Sequence, residues 1–94
     1  RRITEKQALR PGTFATTAQD AINVHTGREA IARYALENKI SANKRFSIAP
    51  KEGTKLKRGE VQPAYGEPGG GVEVLFVDGT CDFSVKLPPD ILPE

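Results

Sequence analysis

Val72-Glu73-Val74-Leu75-Phe76-Val77-Asp78-Gly79-Thr80-Cys81-Asp82-Phe83-Ser84-Val85-Lys86-Leu87 is the stretch that decides the fold of this chain. Apolar and polar residues alternate on both sides of Asp78-Gly79, and Asp-Gly is a two-residue turn whose twist matches that of flanking antiparallel strands. The pattern predicts a hairpin in which Val77 faces Thr80, Leu75 faces Asp82 and Glu73 faces Ser84. In that register Val72, Val74, Phe76, Cys81, Phe83 and Val85 share one apolar face, suited to lie under helices. Glu73, Thr80, Asp82, Ser84 and Lys86 share the other face with Leu75 and Val77. Pro88-Pro89 and Pro93 are expected to end the ladder, because proline has no N–H to donate.

Immediately upstream, Pro63-Ala64-Tyr65-Gly66-Glu67-Pro68-Gly69-Gly70-Gly71 joins an aromatic turn to three consecutive glycines. Glycine tolerates positive φ and lets the backbone approach another group closely, so this segment predicts a shaped bend beside a site, with Glu73 just beyond it. Two further strands are expected earlier. Phe46 and Ile48 alternate with polar neighbours, and after a turn at Lys51-Glu52-Gly53-Thr54 a second strand runs around Leu56 and Val61, interrupted at Gly59.

The amino-terminal half reads differently. Arg10-Pro11-Gly12-Thr13 is a turn leading from an extended arm into Phe14. Thr16 with Gln19 and Thr26 with Glu29 are capping-box patterns, predicting two helices in tandem that meet at a kink holding His25, the second running to about Glu37. Ala30, Ile31, Tyr34 and Ala35 lie on one side of that second helix. The expected architecture is a single α+β domain spanning residues 1–94, two short helices packed on a twisted antiparallel sheet of about four strands.

With 94 residues, 37% of them hydrophobic and 28% charged, the chain suits one small domain with a thin stability margin. No apolar run is long enough to span a bilayer, so no membrane insertion by this domain is expected, and no signal-peptide pattern is apparent. The chain reads as a fragment of something larger. Cys81 is the only cysteine, which excludes an internal disulfide and points to a reducing compartment, and its place on the apolar face of the expected hairpin marks it as a buried filler.

The net charge of +2 conceals a strong asymmetry. Lys39, Lys44, Arg45, Lys51, Lys55, Lys57 and Arg58 stand against Glu52 alone in residues 39–58, whereas Glu60, Glu67, Glu73, Asp78, Asp82, Asp90 and Glu94 stand against Lys86 in residues 60–94. The first segment suits a polyanion such as RNA, with Lys44, Arg45, Lys51, Lys55, Lys57 and Arg58 as the contacts, and a protein partner can dock on either.

One histidine and one cysteine do not supply the usual nitrogen and sulfur ligand sets, and no cofactor is expected. The three glycines are not followed by the Lys-Ser or Lys-Thr of a phosphate loop. Two chemistries remain open. On RNA, Glu73 or His25 takes the proton from a 2′-hydroxyl, a partner group protonates the leaving 5′-oxygen, and Arg28 or Lys86 stabilises the charged phosphorane. On NAD, Glu73 orients a ribose hydroxyl or stabilises an oxocarbenium-like state, while Arg1, Arg28 or Arg33 holds the pyrophosphate. A non-enzymatic protein-binding module is the third possibility.

The segments Gly12-Thr13-Phe14-Ala15-Thr16, Gly27-Arg28-Glu29-Ala30-Ile31-Ala32-Arg33-Tyr34-Ala35-Leu36 and residues 63–73 resemble toxin tips at the carboxyl ends of bacterial contact-dependent inhibition exoproteins of the CdiA type. The resemblance implies export on a cell-surface exoprotein, action in the cytoplasm of a target bacterium, and neutralisation by a cognate immunity protein. Helices followed by antiparallel sheet are similar to the Barnase/EndoU/Colicin/RelE group, whose contact-dependent members commonly cleave tRNA without metal. That likeness implies a metal-independent ribonuclease acting on tRNA, with His25, Arg28, Thr80, Ser84 and Lys86 as the available active-site positions. Residues 63–73 separately resemble tuberculosis-necrotizing-toxin-like NAD glycohydrolases, in which a glutamine stands where this chain has Glu73. The expectation taken forward is the tRNA-cleaving toxin, with the NAD-consuming toxin as the alternative.

Overall fold

Two short helices and five antiparallel strands make up the described part of the computed structural model, which covers residues 2–37 and 43–93. Their order is β1 (Thr13–Ala15), α1 (Ala18–Ala21), α2 (Gly27–Tyr34), β2 (Lys44–Ile48), β3 (Leu56–Glu60), β4 (Val72–Phe76) and β5 (Val85–Ile91). The fold is α+β, as expected. The strands, however, divide into a three-stranded sheet in the order β1-β4-β3 and a two-stranded ribbon of β2 and β5.

β4 is central, and this overturns the expected hairpin. Thr13, Phe14 and Ala15 pair with Phe76, Leu75 and Val74 on one edge of β4, and Leu56 to Glu60 pair in unbroken register with Phe76 to Val72 on the other. Neither edge is left for the chain that follows. Asp78-Gly79 still turns, with the Gly79 N–H donating to the Phe76 carbonyl at 3.2 Å, but the strand beyond it leaves β4. It is captured by the amino-terminal arm: Thr80, Phe83 and Val85 donate their N–H groups to the carbonyls of Leu9, Lys6 and Gln7. Gly79 is required there, since a side chain at φ +75° would strike the Leu9 carbonyl.

The facing of residues 81–85 changes accordingly. Cys81, expected to be buried, is exposed, and Phe83 is 62% exposed in a left-handed conformation at φ +61°. Ser84 and Val85 are buried instead, at 2% and 0% exposure. The expectations for β4 itself hold better. Val74 and Phe76 point inward with Leu9 and Val85, and Ile3, Ala15, Phe46 and Ile48 pack against them. This core lies between the three-stranded sheet, the arm and the β2–β5 ribbon. The apolar face of β4 therefore meets ribbon and arm, where helices were expected.

Pro88 and Pro89, expected to terminate a ladder, fall inside β5. The register slips from Ser47↔Lys86 to Arg45↔Asp90, and the three residues 87–89 bulge opposite Phe46, a place where missing donors are tolerated. Gly59, expected to interrupt β3, continues through the ladder opposite Glu73.

Each helix is short and capped. In α1 the cap is Thr17, whose hydroxyl accepts from the Asp20 N–H at 3.1 Å, one residue later than the Thr16–Gln19 expectation. In α2 the Thr26–Glu29 capping box forms as expected. The helix stops at Tyr34 rather than near Glu37, with Ala35 left-handed and the Leu36 N–H reaching back to the Ile31 carbonyl.

Candidate functional site

The three glycines do build a bend, and it is tied to the end of α2. A helix leaves its last carbonyls without intrahelical partners. Here the Gly69 N–H donates to Ala32 at 2.9 Å and the Gly71 N–H to Arg33 at 3.0 Å, while Gly70 donates to Val61 at 2.8 Å. Gly69 and Gly70 sit at positive φ, and the Tyr34 ring fills the space that a side chain on Gly71 would need. The bend thereby locks α2, the end of β3 and the start of β4 together.

That junction is held from beneath by Asp20, which is 7% exposed. Its Oδ1 accepts from Arg33 Nη2 at 2.7 Å, and its Oδ2 accepts from Arg33 Nε at 3.1 Å, the Tyr34 hydroxyl at 2.8 Å, the Val72 N–H at 3.2 Å and the Thr16 hydroxyl at 3.4 Å. The Arg33 guanidinium holds the Asp20 carboxyl well below the usual carboxylate range, against the opposing effect of burial, with Tyr34 and Val72 adding to the effect. Asp20 in turn raises Arg33, and Tyr34 is pushed up chiefly by its burial. One ionised side chain thus joins α1, α2, the residue after β1 and the first residue of β4.

Above this junction opens a groove of about 720 Å³. Phe14, Ala15 and Thr16 form one wall, Tyr34, Ala35, Leu36 and Glu37 another, and Val61, Gln62, Ala64 and Tyr65 a third. Val72 and Glu73 contribute from β4, and Arg2 from the arm. The volume suits one drug-sized or nucleotide-bearing ligand. Phe14 and Tyr65, at 59% and 56% exposure, present two aromatic side chains to this one hollow. A polar hollow of about 300 Å³, lined by Thr17, Gln19, Asp20, Asn23, Arg58 and Val72, shares the Val72 wall.

Glu73 is half-buried and makes no hydrogen bond or ion pair among the described residues. Its partner across the ladder is Gly59, and open space surrounds the position a side chain there would occupy. By alternation Glu73 shares a sheet face with Leu75 and with the Phe14 that pairs with it. The carboxylate therefore stands in the groove uncovered by a cross-strand neighbour.

The other expected site residues do not gather there. His25 and Arg28 are exposed and line neither hollow; the His25 backbone N–H is a donor to Glu29. Thr80 accepts from the Leu9 N–H at 2.8 Å and hydrogen-bonds Ser84, which is buried, so both hydroxyls tie the arm to the core. Glu73 and Ser84 are not cross-strand neighbours, because β4 and β5 belong to different sheets. Lys86 is exposed and donates to the Phe83 carbonyl. Lys44 and Arg45 lie on β2, with Arg45 bound to Asp90 at 3.0 Å, while Lys51 and Lys55 are exposed beside β3 and Lys57 and Arg58 are exposed on it. Of the three arginines expected for a pyrophosphate, Arg33 is engaged by Asp20, Arg28 is outside the groove, and Arg1 lies outside the described residues, as do Lys39 and Glu94.

Sequence reasoning missed Asp20, Phe14 and Arg2 as parts of the site. A signal existed for the first: Thr17-x-x-Asp20 is itself a capping pattern, overlapping the Thr16–Gln19 one. Among the described residues no three His, Cys, Asp or Glu side chains are placed to hold a metal ion, and no helix is long and apolar enough to cross a membrane. No protein family, curated protein or solved structure matches the chain.

Proposed function

We propose that this chain is a toxin domain that consumes NAD, cleaving the bond between nicotinamide and its ribose with Glu73 as the acting carboxylate. The observation that carries the reading is Glu73 itself, an unpartnered carboxylate in the wall of a nucleotide-sized groove with exposed aromatic side chains. Phe14 and Tyr65 supply faces on which a base or the nicotinamide ring stacks, and Arg2 supplies a cation for the pyrophosphate. As the C1′–nitrogen bond breaks, nicotinamide leaves with the bonding pair and positive charge grows on the ribose. A carboxylate fixed close by stabilises that charge more than it stabilises the ground state. Water then adds to C1′ and releases a proton, giving ADP-ribose and nicotinamide. The delivery setting and the cognate immunity protein come from the resemblance to contact-dependent inhibition toxins and belong to the same proposal.

A ribonuclease acting on tRNA is the second reading, favoured by the exposure of Lys55, Lys57 and Arg58 along β3, next to the strand that bears Glu73. It uses Glu73 as the base and the exposed cations of this edge for the RNA backbone; His25 and Arg28, which line neither hollow, would act in it only from outside the groove. Incubating the purified chain separately with NAD and with total tRNA discriminates. Loss of NAD with intact tRNA is the expected result, cut tRNA with intact NAD replaces it by the second reading, and both substrates left intact refute both.

A further inference from the structure

Asp20 touches the groove only through its partners, yet three of its donors, Thr16, Tyr34 and Val72, line that groove. Val72 immediately precedes Glu73, and its N–H is turned to Asp20 at the point where β4 begins. The preceding residue, Gly71, is fixed to the Arg33 carbonyl, and Arg33 is clamped by the same carboxylate. Both backbone positions leading into Glu73 are therefore tied to one buried charge, Val72 directly and Gly71 through the residue whose side chain Asp20 clamps, on the side away from β3, where the Val61 N–H donates to the Gly71 carbonyl and Glu60 pairs with Val72. We infer that Asp20 is the positioning residue for Glu73, fixing the backbone from which the carboxylate enters the groove. The inference rests on the NAD-cleaving reading for its kinetic consequence, but its structural part stands on the hydrogen bonds alone.

The chemistry of the donor set makes asparagine an informative replacement. An amide has a single acceptor oxygen. Placed at the Oδ2 position it keeps Val72, Tyr34, Thr16 and the Arg33 Nε but turns its NH₂ toward Arg33 Nη2; placed at the Oδ1 position it keeps only Arg33 Nη2 and turns its NH₂ toward Arg33 Nε, Tyr34, Thr16 and the Val72 N–H. In both orientations the charge is gone, which weakens every one of these charge-assisted bonds, the one from the Val72 N–H included. Stacking on Phe14 and Tyr65 does not depend on Asp20, so ground-state binding is retained while the carboxylate is displaced from the developing charge.

The test uses Asp20→Asn, with Ile31→Val as a control that loosens the buried face of α2 away from the groove. Hydrogen exchange is followed at the Val72 amide, with the amides of the β3–β4 ladder as internal reference, and NAD cleavage is measured on the same samples. We expect Asp20→Asn to speed Val72 exchange at least tenfold relative to the ladder and to lower kcat at least tenfold with KM within threefold. Ile31→Val should alter neither ratio. Parental Val72 exchange in Asp20→Asn, or a kcat loss that Ile31→Val shares in proportion to its lowered Tm, overturns the inference. Should Asp20→Asn fail to fold, the parent decides by the same exchange measurement, because a Val72 N–H held by the Asp20 carboxylate should exchange as slowly as the amides of the β3–β4 ladder. A Val72 amide that exchanges as fast as an exposed one in the parent is then the overturning result. An inactive parent refutes the NAD reading, and exchange at Val72 still decides the positioning role.

Discussion

Two glycine-containing turns flank β4, one before it at residues 69–71 and one after it at residues 78–79, and they use their polar neighbours in opposite ways. Each contains a glycine whose missing side chain is demanded by a close neighbour, Tyr34 at Gly71 and the Leu9 carbonyl at Gly79. Each hands its backbone to a distant segment. After the later turn, the side chains of Thr80 and Ser84 are taken up in the same task, bonding the Leu9 N–H and each other inside the core. At the earlier turn, Asp20, the carbonyls of α2 and the backbone of Val61 do the tying, and Glu73 is left without a partner among the described residues. At the earlier turn the buried backbone is satisfied without Glu73, which leaves that carboxylate available to a ligand.

The strongest way to break this comparison is to neutralise the free carboxylate. Glu73→Gln keeps the size and the β4 register and removes the charge. NAD cleavage should fall by about a hundredfold to ten-thousandfold, the range for loss of one acting group. Melting should stay close to the parent, because no hydrogen bond or ion pair among the described residues involves Glu73. Steady-state kinetics beside a thermal melt checks both halves, and a variant with parental kcat removes Glu73 from the reaction.

Removing the bound carboxylate should do the opposite. Asp20→Ala strips Arg33, Tyr34, Thr16 and the Val72 N–H of their shared acceptor; Arg33 is exposed enough to turn to water, so the loss comes from the unsatisfied buried donors and is about 1–3 kcal/mol. In a domain this small that is a large share of the total. The pH dependence has a definite sign. The folded-state value of Asp20 lies below its ordinary 3.8, so its contribution is fully present above that value and is lost as pH falls through the folded-state one. The gap in urea midpoint between parent and Asp20→Ala should therefore be constant near neutrality and narrow below about pH 4. A gap that widens on acidification contradicts the assignment.

The contrast between the two turns also explains how much of the molecule was legible in its residues. Short-range signals read well: the Thr26–Glu29 box, the Arg10–Thr13 turn, the alternation of β4 and the bend at Gly69–Gly71 all depend on neighbours in sequence. What failed depended on competition between distant segments. Asp78-Gly79 has the local chemistry of a hairpin turn, but nothing in residues 72–87 reveals that β1 and β3 occupy both edges of β4. The groove was half legible for the same reason. Glu73 and Tyr65 stand out beside the glycines, whereas Phe14 and Arg2 join them only because β1 and the arm fold back onto this junction. The His25–Arg28 pairing came from helical spacing, which places side chains on a surface without saying whether that surface is hollow.

The smallest expected effect tests the later turn. A Gly79 hairpin buries Phe83 and makes Phe83→Ala cost about 3–5 kcal/mol, as a core phenylalanine does. The observed path exposes that ring and buries Val85 completely. Phe83→Ala should then stay within about 0.5 kcal/mol of the parent, and Val85→Ala should cost about 2–3 kcal/mol. Because Phe83 sits at φ +61°, Phe83→Gly relieves a conformation disfavoured for a bulky residue and should be no less stable than Phe83→Ala. Chemical denaturation of the three variants ranks the two neighbouring faces directly. If Phe83→Ala proves the costly one, the chain after Gly79 returns along β4 after all, and the edge now assigned to β1 or β3 belongs to it instead.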